Sequence, residues 1–424
     1  MNCVVSCTGS REILCRRQRE SRRKGAKALQ EYRFEDLTVI EQVPDNNAPL
    51  PFTVSDAKKP LRFHKSLPAY TETPLFLLQS AADHYGVDSI FVKDESSRFG
   101  LKAFKGLGGS YCMFRILCEK LGIDADCADY SDFQKEAVRE ACKKFEFATA
   151  TDGNHGKGVS WAAKLFGCKA HVYMPKGTVE ARRRAIEEAG SAKAVITDLN
   201  YDATVQYAAA LAKEKGWILI QDTSMEGYEK YPEWIIEGYL TLADETASQM
   251  GGRVPTHIFL QAGVGSMAGG IESYFMDFCG ENKPLVSIVE PLDAACVYRS
   301  AQIGDGFLHT VTGEAETIMA GLNCGTPCGV VWPILRDCSA FYFACEDSIT
   351  KRGMCSYAKP FGSDPALVSG ESGAVTYGLL LSALESPDLR KLLRLDEHSV
   401  ILLISTEGDT DPEGYKRITQ ERKN

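Results

Sequence analysis

The chain has 424 residues, of which 44% are hydrophobic and 25% are charged, so it is long enough to bury the cores of two or three domains. Its formal net charge of −9 argues against nucleic acid or an anionic membrane as the main partner. No apolar run reaches the length of a membrane span, and the composition is ordinary for a soluble globular protein.

The first part of the chain is unlike the rest. Residues 1–30 are basic and lack apolar periodicity, which favours a disordered extension. An organellar presequence is the alternative, because such segments are also rich in arginine and poor in acids. Prolines then recur between residues 40 and 75, where they favour an extended arm before regular folding begins.

From Leu75 onward, apolar runs alternate with segments of helical length, which predicts a doubly wound α/β fold. The runs are continuous, as expected of strands that are buried on both faces of a mostly parallel sheet. Ligands bind at the carboxyl ends of such strands. The predicted strands cover residues 90–92, 147–149, 170–174, 194–197, 218–221, 257–261, 286–289 and 400–404. Polar or glycine-rich segments follow four of them, at residues 151–158, 221–223, 263–270 and 405–410.

Fifteen cysteines are scattered through the predicted helices and strands. Their odd number and the lack of a secretory apolar segment predict reduced thiols in a cytosolic enzyme. Cys324 and Cys328 lack the second pair or the histidines of a zinc site, so no structural metal is expected. A disulfide between Cys296 and Cys324 stays open.

Lys105 lies where the first of these strands gives way to a helix, in the stretch VKDESSRFGLKAFKGLGG at residues 92–109. After it, Tyr111, Phe114 and Leu117 recur at helical spacing. Partial desolvation at such a junction favours the neutral amine, which is the nucleophilic form that a Schiff base requires. A solvated lysine at a helix start is the alternative, so the interpretation depends on the other motifs.

Two glycine-rich segments follow predicted strands. The first, TDGNHGKG at residues 151–158, places Asp152 and Asn154 between glycines that let the backbone approach a ligand. The second, GVGSMAGG at residues 263–270, opens a helix whose free N–H groups suit a phosphate. Its spacing is not G-x-G-x-x-G and no acid is placed for a ribose, so a single phosphate is favoured over a dinucleotide. Helix capping and tight helix–strand packing are the structural alternatives.

Three further segments add polar groups or glycines. Ser405 and Thr406 could hydrogen-bond a heterocyclic nitrogen, and Asp222 adds a carboxylate at another strand end. Ordinary polar turns and a helix-capping acid are the alternatives. The glycines of SGESGA, at residues 369–374, indicate close packing against another segment. Together with the lysine, the asparagine and the phosphate loop, these groups predict a pyridoxal-phosphate site.

These motifs resemble those of fold-type II pyridoxal-phosphate enzymes, the group of threonine dehydratase, serine racemase and the tryptophan synthase β-subunit. They are most similar to the diaminopropionate ammonia-lyase family, over residues 60–416. Dehydratases of this fold usually carry serine before G-N-H, where this chain has Asp152; Asp222 and the segment STEGDTD at 405–411 also match the ammonia-lyases. The resemblance implies two doubly wound α/β domains with the active site between them. Residues 31–143 and 226–424 would form the large cofactor-binding domain, and residues 144–225 the small one.

The resemblance also implies an activity, the α,β-elimination of D- and L-2,3-diaminopropionate to pyruvate and two ammonia in a cytoplasmic homodimer. Lys105 would form the Schiff base with the cofactor and take the Cα proton of the L-isomer. Asp152 would take that of the D-isomer, and Asp222 would help to bind the distal ammonium. Asn154 would contact the phenolic oxygen of the cofactor, and Ser405 or Thr406 would face its ring nitrogen. The other implied cofactor-binding residues are Phe104, Gly263, Val264, Gly265, Ser266, Met267 and Gly269.

Three other functions are less well supported by the sequence. A serine or threonine dehydratase, or another β-eliminating or β-replacing enzyme of this fold, is disfavoured because two acids suit a substrate with an extra ammonium. A nicotinamide-dependent dehydrogenase would need the ribose acid and the full glycine fingerprint. A non-enzymatic cofactor carrier would not need the acid and base residues. The expected partner is a small amino acid, with no metal, nucleic acid or membrane.

Overall fold

The structure is a computed structural model that describes residues 29–313 and 316–420. Most of the segment predicted to be a basic extension, residues 1–28, lies outside the described residues. Two sheets flanked by helices make up the described fold, one of eight strands and one of four. No helix in these two ranges has both the length and the apolarity needed to cross a bilayer.

The strands of the two sheets are, in chain order, β1 (Gln30–Arg33), β2 (Leu37–Glu41), β3 (Leu75–Leu77), β4 (Ser89–Asp94), β5 (Glu146–Ala150), β6 (Lys169–Met174), β7 (Ala192–Ile196), β8 (Ile218–Leu219), β9 (His257–Gln261), β10 (Leu285–Pro291), β11 (Phe341–Cys345) and β12 (Val400–Ser405). The larger sheet has the order β1-β2-β11-β10-β9-β12-β4-β3 and the smaller has the order β7-β6-β5-β8. Strands β11, β10, β9, β12 and β4 are mutually parallel, as is the whole smaller sheet. The predicted α/β class with mostly parallel sheets is therefore confirmed.

Helices flank both sheets and supply most of the chain between strands. They are α1 (Lys58–Lys65), α2 (Gln79–Tyr85), α3 (Gly106–Leu121), α4 (Glu136–Cys142), α5 (Asn154–Phe166), α6 (Glu180–Ala189), α7 (Tyr201–Lys215), α8 (Lys230–Gln249), α9 (Ser266–Phe278), α10 (Cys296–Ile303), α11 (Trp332–Cys338), α12 (Asp347–Ala358), α13 (Glu371–Glu385), α14 (Pro387–Leu392) and α15 (Pro412–Gln420). The smaller sheet lies entirely within residues 146–219, and the larger sheet takes strands from both sides of that segment.

The structure differs from the prediction mainly at the edges of the larger sheet. The arm predicted to be extended contains α1 and the start of β3. Pro60 is tolerated in the first turn of α1, because an N–H group in that turn would have no acceptor within the helix. Three strand pairs there are antiparallel: β1 with β2, β2 with β11, and β3 with β4. Strands β1, β2 and β3 are only three to five residues long and partly exposed, so little in the sequence distinguishes them from loops. β11 was missed although it is fully buried, because a five-residue apolar run is compatible with either a strand or a buried helix.

A close approach between α3 and α8 fixes the start of the helix that follows Lys105. A Cβ on Gly108 would lie 2.6 Å from the ring of Tyr239, and one on Gly238 would lie 2.7 Å from the carbonyl oxygen of Leu107. Real Cβ atoms do not approach other atoms so closely, so glycine is required at both positions. The close packing of α3 against α8 therefore fixes the position of Lys105, which is the N-cap residue of α3.

Candidate active site

Segments that follow β4, β5, β8, β9 and β12 line one cavity between the two sheets. All but two of the predicted site residues lie in its wall: Phe104, Lys105, Asp152, Asn154, Asp222, Gly263, Val264, Gly265, Ser266, Met267 and Thr406. The two exceptions are Gly269 and Ser405. Parallel strands place their carboxyl ends at one edge of a sheet, and this geometry brings residues from distant parts of the chain together.

Lys105 forms an ion pair across the cavity. Its Nζ donates to Oδ2 of Asp222 at 2.5 Å and lies 5.3 Å from the centre of the Phe104 ring. Burial disfavours the ammonium, but the charge of Asp222 outweighs burial and raises the pKa of Lys105. Burial would raise the pKa of Asp222, and the nearby positive charge of Lys105 lowers it to about 2. The expectation of a neutral amine is wrong for the protein alone, because the sequence did not reveal this partner.

Asp152 lies in the same cavity but in a different electrostatic environment. Burial raises the pKa of its carboxyl group to about 7, and the charge of Asp222 adds to this effect. The positive charges of Arg182 and Lys105 act in the opposite direction. Helix capping does not explain Asp152, because Gly153 is the N-cap of α5 and the side chain that accepts from its first turn is that of Thr151, whose Oγ1 lies 3.1 Å from the N of Gly156. Asp152 therefore titrates near neutral pH while Asp222 stays ionised.

The glycine-rich loop after β9 leads into the N-terminus of α9. Gly265 is the N-cap residue, with a φ of 86° that favours glycine, and Ser266 Oγ donates to the carbonyl oxygen of Asp222 at 2.7 Å. The N–H groups of the first helical turn have no intrahelical acceptors and can bind an anion. Gly269 does not line the cavity, contrary to the prediction: a Cβ there would lie 2.4 Å from Val331, so its role is helix packing.

The two hydroxyl residues at the end of β12 differ in position. Thr406 lines the cavity, and its Oγ1 accepts from Nε2 of Gln261 at 3.0 Å. Ser405 is fully buried, does not line the cavity, and donates to Oγ of Ser369 at 2.9 Å. Of these two hydroxyl residues, Thr406 is the one that lies in the cavity wall.

Asn154 and His155 begin α5 and make different contacts. Asn154 Nδ2 donates to Oε2 of Glu407 at 2.5 Å, and both residues line the cavity. His155 is buried, and its Nε2 lies 3.1 Å from the carbonyl oxygen of Ile220. Its Nδ1 lies 3.8 Å from Oδ2 of Asp222. Burial lowers the pKa of His155, which favours a neutral ring. Its contact with Ile220 helps to position the loop that carries Asp222.

Several residues in the cavity wall were not predicted. They are Lys157, Arg182, Tyr201, Gln261, Cys324, Ser372, Glu407 and Thr410, among others. Lys157 and Glu407 lie inside quoted motifs, so their positions next to predicted residues were a usable signal. Arg182, Tyr201 and Cys324 come from α6, α7 and a loop outside the strand ends, and no motif marks them.

The two cysteines of the open disulfide question are both free thiols in this structure. Cys296 Sγ lies 3.5 Å from the carbonyl oxygen of Gly263, and a Cβ on Gly263 would lie 3.1 Å from Cys324 Sγ. Both therefore pack against the glycine-rich loop.

The residues of the cavity fit pyridoxal phosphate. A buried lysine supplies the amine, the N-terminus of α9 supplies N–H donors for a phosphate, and Thr406 supplies a hydroxyl. A side chain on Gly263 would crowd Cys324, so the backbone forms this part of the wall. The donor set thus matches the aldehyde, the phosphate and the ring nitrogen of the cofactor.

Comparisons with known proteins agree with this cofactor. A family model described as "Pyridoxal-phosphate dependent enzyme" matches residues 67–407. The diaminopropionate ammonia-lyase of Salmonella typhimurium strain LT2 is 47% identical over 365 residues, which cover 84% of this chain and 90% of that protein.

Two solved structures from Escherichia coli are similar along nearly the whole chain. The holo diaminopropionate ammonia lyase has a TM-score of 0.85 and 42% identity, covering 92% of this chain and 98% of that one. The complex of that enzyme with an aminoacrylate-PLP azomethine reaction intermediate has a TM-score of 0.84 and 42% identity, again covering 92% and 98%.

Proposed function

The chain belongs to the pyridoxal-phosphate dependent enzyme family, and on that premise we propose that it converts 2,3-diaminopropionate and water to pyruvate and two ammonia by α,β-elimination. The observation that carries the proposal is the pair of acids around one lysine: Asp222 Oδ2 lies 2.5 Å from Lys105 Nζ, and Asp152 lines the same cavity. The distal amino group of the substrate can pair with Asp222, and Asp152 is then free to act on the Cα proton. The similarity to the Salmonella ammonia-lyase, which extends over 90% of that protein, supports the same substrate.

The bound cofactor supplies a conjugated ring that withdraws electrons from the substrate Cα. Lys105 Nζ is the group that attaches the cofactor and then holds or moves the Cα proton of the L-isomer. The first-turn N–H groups of α9 would bind the phosphate, and Thr406, which lines the cavity, would face the ring nitrogen with its Oγ1. Asn154 Nδ2 would donate to the phenolic oxygen. Asp152 moves the Cα proton of the D-isomer at its carboxylate.

Asp222 connects substrate binding to the ionisation of Lys105. In the protein alone, Asp222 stabilises the ammonium of Lys105 and so withholds the neutral amine. A distal substrate ammonium that pairs with Asp222 removes that stabilisation. Burial then favours a neutral Lys105, which is the form needed to accept a proton. This exchange explains why an acid lies next to the reactive lysine.

A serine or threonine dehydratase is the less favoured alternative, because a hydroxyl leaving group gives Asp222 no cation to pair with.

We further propose that residues 144–225 form the small domain, that residues 31–143 and 226–424 form the large one, and that the protein is a cytoplasmic homodimer. The family resemblance supports the dimer and the domains. Light scattering at working concentration tests the dimer, and a monomer there would contradict it.

Product formation tests the activity directly. Pyruvate and ammonia are measured with D- and L-diaminopropionate, with serine and with threonine, on protein that contains the cofactor. We expect two ammonia per pyruvate from both diaminopropionate isomers and slower turnover of serine and threonine. Faster turnover of serine or threonine would instead identify a dehydratase. The bound cofactor should give a yellow absorbance that borohydride removes. If that absorbance is absent, the assignment of Lys105 is contradicted.

A further inference from the structure

Glu407 is almost completely buried in the cavity wall, with 4% of the residue exposed. Its carboxylate accepts hydrogen bonds from residues on both sides of the cavity. Oε2 accepts from Asn154 Nδ2 at 2.5 Å, and Oε1 accepts from the backbone N–H of Ser372 at 3.0 Å. Asn154 follows the last residues of β5 in the smaller sheet, whereas Glu407 follows β12 in the larger one. One carboxylate therefore joins the two sheets through the asparagine of the cavity.

Two glycines make room for this carboxylate. A Cβ on Gly370 would lie 3.1 Å from Glu407 Cγ and 3.2 Å from its Oε1, and one on Gly373 would lie 3.0 Å from its carbonyl oxygen. The Gly370 N–H also donates to that carbonyl oxygen, at 3.0 Å. The glycines of SGESGA thus pack against Glu407, which is the close packing that the sequence indicated. The position of the Glu407 side chain is fixed from several directions.

We propose that Glu407 is the positioning residue that orients the carboxamide of Asn154 toward the cofactor. A carboxylate only accepts hydrogen bonds, so the contact at 2.5 Å requires that Asn154 turn its NH₂ group, and not its oxygen, toward Glu407. The NH₂ group carries two N–H bonds, and one of them remains for the cavity. A phenolic oxygen accepts a hydrogen bond, so this orientation presents the donor that the cofactor needs.

A lysine brings a positive charge to the same part of the cavity. Lys157 lies one turn after Asn154 in α5 and lines the same cavity. Burial lowers the pKa of Lys157 to about 8, and the charge of Glu407 opposes that effect. The inference rests on the part of the proposed function in which Asn154 contacts the cofactor, and it does not depend on the substrate.

A double-mutant cycle on cofactor binding tests the inference. The dissociation constant of pyridoxal phosphate is measured by titration of apoprotein for wild type, Glu407→Ala, Asn154→Ala and the double variant. A hydrogen bond to a charged group contributes enough that each single change should weaken binding about tenfold or more. The double variant should bind about as weakly as Asn154→Ala alone, because Glu407 acts through Asn154. Losses that multiply in the double variant would overturn the inference.

Two further measurements separate positioning from a general structural role. The absorption maximum of the bound cofactor should shift alike in Glu407→Ala and Asn154→Ala, and an unshifted maximum in Glu407→Ala would count against the proposal. Glu413→Ala, at an exposed acid of α15, is the matched control and should change neither quantity. If Glu407→Ala does not fold, as judged by thermal denaturation, Glu407→Met, which has a similar length but no acceptor oxygen, replaces it in the cycle.

Glu407→Gln also tests the chemistry of the contact. The glutamine amide oxygen can still accept from Asn154, so this variant should lose less cofactor affinity than Glu407→Ala. An equal or greater loss would mean that the charge, and not the hydrogen bond to Asn154, is what matters, and the proposal would fail. A wild-type protein that shows these cofactor results but no turnover of diaminopropionate would contradict only the proposed function.

Discussion

The Nζ of Lys105 lies 2.5 Å from Oδ2 of Asp222, and this ion pair joins a residue at the start of α3 to one that follows the last strand of the smaller sheet. Each charge stabilises the other against burial: the pKa of Lys105 is raised and that of Asp222 is lowered to about 2. The amine can act as nucleophile or base only after this pairing is broken. Several properties of the proposed enzyme therefore depend on what competes with Lys105 for Asp222.

Replacement of Lys105 by alanine should abolish turnover while the protein keeps its fold. Lys105 is the amine that is proposed to attach the cofactor, and a guanidinium cannot form the required imine, so Lys105→Arg should not restore activity. Turnover and borohydride reduction of the bound cofactor are measured together, with circular dichroism to check the fold. A Lys105→Ala protein that still forms a reducible covalent adduct would place the attachment on another lysine.

Replacement of Asp222 by asparagine should reduce activity toward diaminopropionate more than toward serine. Asparagine has nearly the same shape but cannot pair with a distal ammonium, and a hydrogen bond between charged groups accounts for about a 10- to 100-fold change in kcat/KM. The ratio of kcat/KM for the two substrates is the measurement. Asp388→Asn, at an exposed acid in the first turn of α14, is the control and should leave that ratio unchanged.

The same loss with serine as with diaminopropionate would contradict a role for Asp222 in recognising the distal amine. The outcome separates recognition from ionisation, because Asp222→Asn also removes the charge that raises the pKa of Lys105. That second effect should favour the neutral amine at neutral pH for every substrate.

Removing the charge of Glu245 should destabilise the protein strongly. Lys93, Glu95, Arg98 and Glu245 are at most 2% exposed, and Glu245 Oε2 accepts from Lys93 Nζ and from Arg98 Nη2, each at 2.7 Å. Glu245→Gln leaves two buried cations with one carboxylate, so the free energy of unfolding should fall by about 3–5 kcal/mol in urea denaturation. Glu233→Gln, at an exposed position of the same helix, should change it by less than about 0.5 kcal/mol.

The difference between these variants should depend on pH. Burial would raise the pKa of Glu245, but the hydrogen bonds from Arg98 lower it to about 2, below its ordinary value of 4.5. A group whose pKa is depressed by folding stabilises the protein above its unfolded pKa, and that stabilisation is lost as pH falls through its folded pKa. The difference in the free energy of unfolding between wild type and Glu245→Gln should therefore narrow between pH 4.5 and 2. If that difference stays constant over this range, Glu245 is not ionised in its contacts with Lys93 and Arg98.

The parts of the site that could be predicted are those fixed by strand ends. An apolar run such as the one that forms β9 marks a buried strand, and the residues that follow it must lie at one edge of the sheet. Arg182 and Tyr201 reach the cavity through the packing of α6 and α7, which depends on tertiary structure that no local pattern records. Gly269 was misassigned because a glycine that packs against Val331 and one that faces a ligand look the same in sequence.

Replacement of Asp152 by asparagine should remove activity on the D-isomer far more than on the L-isomer. Lys105 can reach only one face of a planar intermediate, so a second base is needed for the other enantiomer. The pKa of Asp152 is raised to about 7 by burial, so wild-type kcat/KM for the D-isomer should rise with pH through an inflection near or below 7. This limb should be absent in Asp152→Asn. The measurement is kcat/KM for both isomers across pH 5–9.

Stability serves as the control for that variant. Because folding raises the pKa of Asp152, its ionised form destabilises the folded protein, and stability contributed by the protonated group is lost as pH rises through about 7. Asp152→Asn should therefore be no less stable than wild type at pH 8, which excludes unfolding as the cause of lost activity. Since Thr151, and not Asp152, accepts from the first turn of α5, loss of a cap cannot account for the result either. Equal, small losses on both isomers would rule out the two-base mechanism and leave Asp152 as a substrate-binding acid.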